Sequence, residues 1–380
     1  MRLGIDLRFE LRNALFPLTE LDRISACLRE AEQLARRLDD RRRLGWVAAY
    51  MSSHLWMIGQ SREMRTVADT LHETAEALGD GPLQIAANAY LGAACLVTGD
   101  YAAGERLLRA NLELLEGELS GQRLGLTVFP AVNARARLAW CLAERGEFTD
   151  GLSLGEEALR MAETLDHPFS LVTACTLLAY LHRVRGQLGR AQPVLERGLA
   201  LCEQWGVTLW APILTASLGA VRAQSGDVGP GLRLIQEAMT QCEATGLGFF
   251  HTLIVIHRGE ACALARRIGD ALAFAEQALK LARQRGERGY EAWALRLLGD
   301  VESLREPADA GSARTLYERA TRLAADLGMR PLAAHCHLGL GQAVRLSGES
   351  RESDKHFATA AGLVREMGMR PWDARTERGG

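Results

Sequence analysis

The sequence predicts an all-α protein, a right-handed superhelical solenoid of about nine helix-turn-helix repeats of about 40 residues each. Three observations predict it. A small residue recurs at Ser52, Gly92, Ala139, Ala179, Gly219, Gly259, Gly299 and Gly341, with Arg12 holding the same phase at the start. The steps are 40, 40, 47, 40, 40, 40, 40 and 42 residues, and one interval recurring that often marks stacked units. Seven residues after the small residue stands a glycine at Gly59, Gly99, Gly146, Gly186, Gly226 and Gly348, the residue that ends a helix in the left-handed region without steric cost. Within each segment apolar residues recur at helical spacing, and no strand alternation is evident.

The units are read in order. The opening pair fits the phase poorly, with Arg12 at the small position and Thr19 at the turn, as the end of an array often does. The second and third units centre on Ser52 and Gly92, and Pro82 stands at the start of the third unit's first helix. The 47-residue step before Ala139 inserts seven residues around Gly117 to Val132, including Gly121, Gly125 and Pro130. Insertions in solenoids map to loops on one face, often the binding face, so this loop with Trp140 is a candidate recognition spot. Pro168 opens the fifth unit and Pro331 the ninth. The seventh and eighth units carry Arg266 and Glu306 in place of the turn glycine. An alanine nineteen residues after the small residue, at Ala31, Ala158, Ala238, Ala278 and Ala360, marks the second helix; Ala320 takes that role in the eighth unit after a two-residue shift. In that second helix Ala271, Phe274, Ala275, Ala278 and Ala282 form one apolar stripe, with Glu276, Lys280 and Arg283 opposite. The array is expected to span residues 1–369, followed by a polar tail over 370–380.

Leu91-Gly92 with Gly99-Asp100-Tyr101, and Leu218-Gly219 with Gly226-Asp227, resemble the tetratricopeptide repeat, here six residues longer than the usual unit of about 34. The longer variety resembles the repeat region of bacterial class III nucleotide cyclase and P-loop ATPase signalling proteins. Asp6 to Asn13, Arg137 to Glu144 and Arg285 to Trp293 carry that likeness. It implies an ATPase or nucleotide cyclase module as a partner. This sequence holds no G-x-x-x-x-G-K-[ST] loop, so it supplies no such module itself.

Composition narrows the function classes. An apolar fraction of 48% and a charged fraction of 24% are those of an ordinary folded protein, and a net charge of −2 argues against a chain built to neutralise nucleic-acid phosphates. No apolar run reaches the roughly 20 residues a membrane span requires, and the charged N-terminus is no secretory signal, so a cytoplasmic location is expected. The eight cysteines are scattered singly and read as small core residues. Gly151-Leu-Ser153-Leu-Gly155 copies a nucleophile elbow, and Gly339-Leu-Gly341 the start of a dinucleotide loop, but both fall inside helices where neither chemistry has its strand. His335-Cys336-His337 cannot close on one metal, because consecutive helical residues point about 100° apart. The arginines 41–43, preceded by two aspartates, read as a solvated helix start. No catalytic residue, cofactor or metal site is expected.

The resemblance implies ligand contacts on the concave face, from positions six and three before the small residue and one, four and five after it. These are Trp46, Ser53, Trp56, Trp140, Glu144, Tyr180, Arg183, Trp293, Arg296 and Asp300, among others. The expected partner-binding set is Trp46, Trp56, Trp140, Tyr180, Arg183 and Trp293, aromatic in the N-terminal half and more charged in the C-terminal half. The same tryptophans equally suit filling the space between long helices. The Lys and Asn pattern of arrays that clamp a chaperone tail is absent. The leading functional expectation is therefore a non-catalytic scaffold or regulatory repeat domain holding a protein or peptide in its concave groove. Two alternatives stand beside it: the regulatory C-terminal part of a cyclase or ATPase signalling protein, and the ligand-sensing arm of a transcription activator.

Overall fold

The computed structural model describes residues 1–370; the expected polar tail, apart from Arg370, lies outside the described residues. Eighteen α-helices are found among the described residues, and no strand. They run in nine antiparallel pairs, the first helix of each on the inside. The pairs are α1 (Arg2–Leu15) with α2 (Leu21–Arg37), α3 (Arg41–Met57) with α4 (Ser61–Leu78), and α5 (Gly81–Thr98) with α6 (Tyr101–Leu114). Next come α7 (Pro130–Arg145) with α8 (Phe148–Thr164), α9 (Pro168–Val184) with α10 (Leu188–Trp205), and α11 (Ala211–Gln224) with α12 (Val228–Thr245). The last are α13 (His251–Leu264) with α14 (Ile268–Arg285), α15 (Arg288–Leu304) with α16 (Ala310–Leu327), and α17 (Arg330–Leu346) with α18 (Ser350–Met367). This is the right-handed solenoid the repeat predicts.

The turn glycines act as expected. Gly99 has φ of 87°, its amide bonds Leu96 O at 3.2 Å, and the Asp100 amide bonds Cys95 O at 2.8 Å. That pair of bonds satisfies two of the carbonyls a helix end leaves orphaned. The Asp100 carboxylate then caps the following helix by accepting from the Ala103 amide. In the seventh repeat Arg266 adopts the same left-handed conformation, φ 59°, and the bonding pattern survives the loss of glycine. In the eighth it does not. There α15 ends in an extended Arg305, and the Glu306–Pro307 peptide is cis.

The two helices of a pair differ in burial. In α9 every residue from Phe169 to Val184 is buried, whereas α14 buries only the alanine stripe Ala271, Ala275, Ala278 and Ala282. A helix apolar all round has both faces covered, and an amphipathic one has a single face covered. The outer helices cover one side of the inner ones; the other side is covered by the winding of the chain. Successive superhelical turns touch after five repeats. Thr208, just before α11, donates to Pro17 O at 3.0 Å; the Gly248 amide, before α13, bonds Met57 O at 2.8 Å; and the Arg370 amide bonds Arg185 O at 2.9 Å. Across the same seam Ser61 and Thr252 both donate to the buried Glu287 carboxylate, at 2.9 and 2.5 Å.

The recurring small residue sits where inner and outer helices of a pair cross. At Gly219 an added Cβ would lie 2.7 Å from Gly231 O, and one at Gly231 would lie 2.5 Å from Gly219 O. Backbone cannot withdraw from such an approach as a flexible side chain can. Gly231→Ala is accordingly expected to destabilise the protein by about 2–3 kcal/mol in denaturant unfolding. Gly362→Ala, in α18 with open space around the new methyl, is expected to stabilise it by about 0.5–1 kcal/mol. Equal effects from the two changes would contradict this account of the crossing.

Candidate functional site: the interior of the superhelix

All six residues expected to contact a partner are buried on the inner side: Trp46 (8% exposed), Trp56 (7%), Trp140 (2%), Tyr180 (7%), Arg183 (5%) and Trp293 (5%). They face one another across a narrow axis rather than standing on an open concave surface, because the second superhelical turn lies directly against the first. Four of them come together. The rings of Trp140 and Tyr180 are 6.2 Å apart, and the Arg183 guanidinium lies 5.5 Å from the Tyr180 ring. Tyr180 donates its hydroxyl to Glu144, and Trp293 Nε1 donates to the same carboxylate at 3.4 Å. Trp56 belongs to a different group, with Phe249 at 4.4 Å, Trp210 at 5.6 Å and Phe250 at 6.4 Å. Trp46 stands apart, against Tyr50 at 5.7 Å.

Phe250 also lies 5.3 Å from Trp140, so an aromatic run crosses the axis from Trp56 to Tyr180. The sequence reading omitted Trp210, Phe249 and Phe250. They sit in the segments preceding α11 and α13, outside the positions counted from the small residue. A local signal existed: both segments carry bulky aromatics immediately before an inner helix, and Phe250 is held at φ 53°, turned inward.

On the N-terminal side of the aromatic run is a pocket. Its cavity volume is about 40 Å³. Phe16, Trp56, Tyr90, Phe169 and Trp210 supply aromatic walls, and Ser53, Thr127, Asn133, Arg137 and Thr173 supply polar atoms. The inserted loop forms one wall through Leu126, Thr127 and Val128. It reaches back to the opening repeats, where Tyr50 and Asn13 donate to Gly125 O at 2.8 and 3.1 Å. The insertion thus lines this pocket with Trp56, whereas Trp140 is not among the lining residues. Arg12, with 0% exposure, lies behind the wall and donates to Ser53 Oγ at 2.7 Å and Thr127 Oγ1 at 3.2 Å.

On the C-terminal side ionisable groups engage one another. Arg296 holds Glu260 and, at 2.8 Å, Asp300; Asp300 also accepts from the Tyr317 hydroxyl at 2.6 Å. Burial alone would raise the Glu260 pKa, but Arg296 and His257 outweigh it and bring the carboxyl to about 2. Burial, reinforced by Arg183, pulls His257 down to about 4 despite Glu260 at 3.6 Å. Glu144 moves the other way, raised by burial against the bonds from Tyr180 and Trp293. Among the described residues no group of His, Cys, Asp and Glu could hold a metal ion. No helix among them is long and apolar enough to cross a membrane.

His257 carries a pH dependence whose sign is fixed. Its folded pKa of about 4 lies below the ordinary 6.5, so below pH 6.5 the unfolded chain takes up a proton that the folded one refuses. The stabilisation is complete above that value and is lost as the pH falls toward 4. Between about pH 7.5 and about pH 5 the loss from this group is about 2 kcal/mol. Denaturant unfolding at the two pH values should therefore show a drop that shrinks by roughly that amount in His257→Leu. An unchanged drop would mean that His257 is not held neutral.

No protein-family model matches the chain, and no curated protein does. Solved structures do match it. A Rap protein complexed with competence and sporulation factor aligns over 96% of this chain and 98% of its own, with a TM-score of 0.68 and 11% identity. NprR in complex with its cognate peptide NprX aligns over 95% and 99%, with a TM-score of 0.63 and 11% identity. Aspartyl phosphate phosphatase F from Bacillus subtilis aligns over 97% and 96%, with a TM-score of 0.52 and 10% identity. At such low identity the likeness concerns architecture: the fold is that of a tetratricopeptide-type repeat array, matched from end to end.

Proposed function

We propose that the chain is a non-catalytic regulatory repeat protein that binds a peptide or short protein segment inside its superhelix. The observation that carries this reading is the lining of the axis, where aromatic side chains from repeats far apart in sequence border a pocket to which Ser53, Asn133 and Arg137 supply polar atoms. Aromatic residues in a preformed site contribute strongly to recognition, since little ordering cost remains to be met on binding. The similar NprR structure holds a peptide, which supports the same use of the fold here. The buried acids beyond the aromatic run suit structure better than turnover: Glu144, Glu260 and Asp300 are engaged by Tyr180, Arg296 and Tyr317 respectively. Coupling to an ATPase or nucleotide cyclase module, as the sequence resemblance implies, belongs to this proposal as the step that would read out the bound state.

The test is selection of short peptides from a display library on the full chain, followed by photo-crosslinking of enriched sequences carrying a diazirine. Crosslinks are expected on inner-helix residues such as Ser53, Asn133 and Thr173, with a shift in tryptophan emission, since Trp56 and Trp210 border the pocket. Crosslinks confined to the outer helices, or no enrichment at all, would overturn the reading.

A further inference from the structure

The N-terminal pocket is mostly apolar, and several of its polar side chains are placed to donate hydrogen bonds, although Thr173 spends its hydroxyl hydrogen on Phe169 O. Arg137 borders it with 8% exposure; its Nε donates to Asn133 Oδ1 at 2.8 Å, and its flat face lies 5.4 Å from the Trp56 ring. Among the described residues its two terminal nitrogens have no hydrogen-bonded protein partner, and no carboxylate pairs with it. Arg12 likewise has no carboxylate partner among the described residues; its charge rests on Ser53, Thr127 and Asn13, and on the rings of Phe16 (4.4 Å) and Tyr50 (4.7 Å). Because Ser53 and Thr127 accept from Arg12, their own hydroxyl hydrogens remain free to donate toward the pocket. The indole N–H of Trp210, buried at the same wall, has no hydrogen-bond partner among the described residues. The one amide oxygen that could accept, Asn133 Oδ1, is already used by Arg137. Among the described residues no Asp or Glu lines the pocket.

Two guanidiniums withdrawn from water without a counter-charge are costly unless something supplies the charge. Burial draws the Arg137 pKa down to about 10, which leaves it cationic at neutral pH. Another buried arginine of the interior, Arg296, is by contrast matched with Glu260 and Asp300. The N-terminal pocket therefore differs from the C-terminal half in being left positive.

We infer that this pocket takes a carboxylate carried on an aromatic or aliphatic body, with Arg137 as the direct ionic contact. Ser53 and Thr127, polarised by Arg12, act as flanking donors. One planar fork facing the space matches a planar two-oxygen group, and the aromatic walls fit an apolar body. The inference rests on the reading that the interior is the binding surface and names the chemistry recognised there. The carboxylate comes either from the end of a peptide or from a free organic acid.

The experiment uses the full chain with three probes, N-acetylphenylalanine, phenylacetate and phenyl phosphate, each followed by thermal shift and tryptophan fluorescence. N-acetylphenylalaninamide serves as the uncharged control. The acids are expected to raise the melting temperature by a few degrees while the amide does not. Arg137→Gln should weaken acid binding by about tenfold or more, and Thr127→Val, a gentler change, by a few-fold. Tighter binding of N-acetylphenylalanine assigns the site to a peptide terminus, and tighter binding of phenylacetate to a free acid. Absence of binding by both acids, equal binding of acid and amide, or an unaltered affinity in Arg137→Gln would overturn the inference, as would a clear preference for phenyl phosphate. Display-selected peptides that bind inside the superhelix equally well with free and amidated termini would sink this inference and leave the interior-binding reading standing.

Discussion

The contact between successive superhelical turns is the constraint on which the rest of the structure depends. The Gly248 amide bonding Met57 O, and Thr208 bonding Pro17 O, fix the turn at five repeats and bring inner helices within side-chain reach across the axis. Glycine at 248 is what permits this approach, since a Cβ there would collide with the backbone of Ile58 and Gly59. Once the turns meet, an inner helix has neighbours on every side. The near-complete burial of α9, and of Trp140 in α7, follows from that winding rather than from the pairing of helices within a repeat.

A closed axis changes what polar side chains can do. On an open concave face Glu144, Arg183 and Arg296 would be solvated and of small energetic weight. Inside they must find partners, and for the carboxyl groups the direction of the pKa reports how well they do. Glu260, between Arg296 and His257, is held ionised, whereas Glu144, bonded by neutral donors, is pushed toward its protonated form. The aromatic run from Trp56 through Phe250 and Trp140 to Tyr180 lies between this mutually engaged half and the donor-rich pocket. One interior thus contains two environments of different electrostatic character.

Much of the local architecture was legible because it is written at short range. The forty-residue phase, the left-handed turn residues and the alanine positions are all set by contacts within a helix pair. Ala31, Ala158, Ala238, Ala278, Ala320 and Ala360 are each 0% exposed. The change along the groove from aromatic to charged was readable as well. The degree of closure was not, because it depends on a small rotation per repeat summed over five repeats, and no single residue encodes it. The positions taken from the resemblance lie on inner helices, but the sequence could not say that they would be covered. Trp210, Phe249 and Phe250 escaped for a related reason. They lie in the connections preceding inner helices, and only the winding brings those connections to the axis.

Arg12 shows how an irregularity in a repeat acquires meaning. It stands where every later unit has Gly, Ala or Ser, and in sequence it reads as a frayed end of the pattern. The inner side of the first unit is covered by the loop inserted between the third and fourth units. Asn13, Tyr50 and Arg12 each bond that loop, at Gly125 O or Thr127 Oγ1. A small residue at position 12 would leave Thr127 and Ser53 without the donor that orients them. The two departures from the forty-residue rule, an arginine at the small position and seven extra residues over a hundred positions later, are therefore halves of one structure. Together they close one end of the interior and set the charge of the pocket behind it.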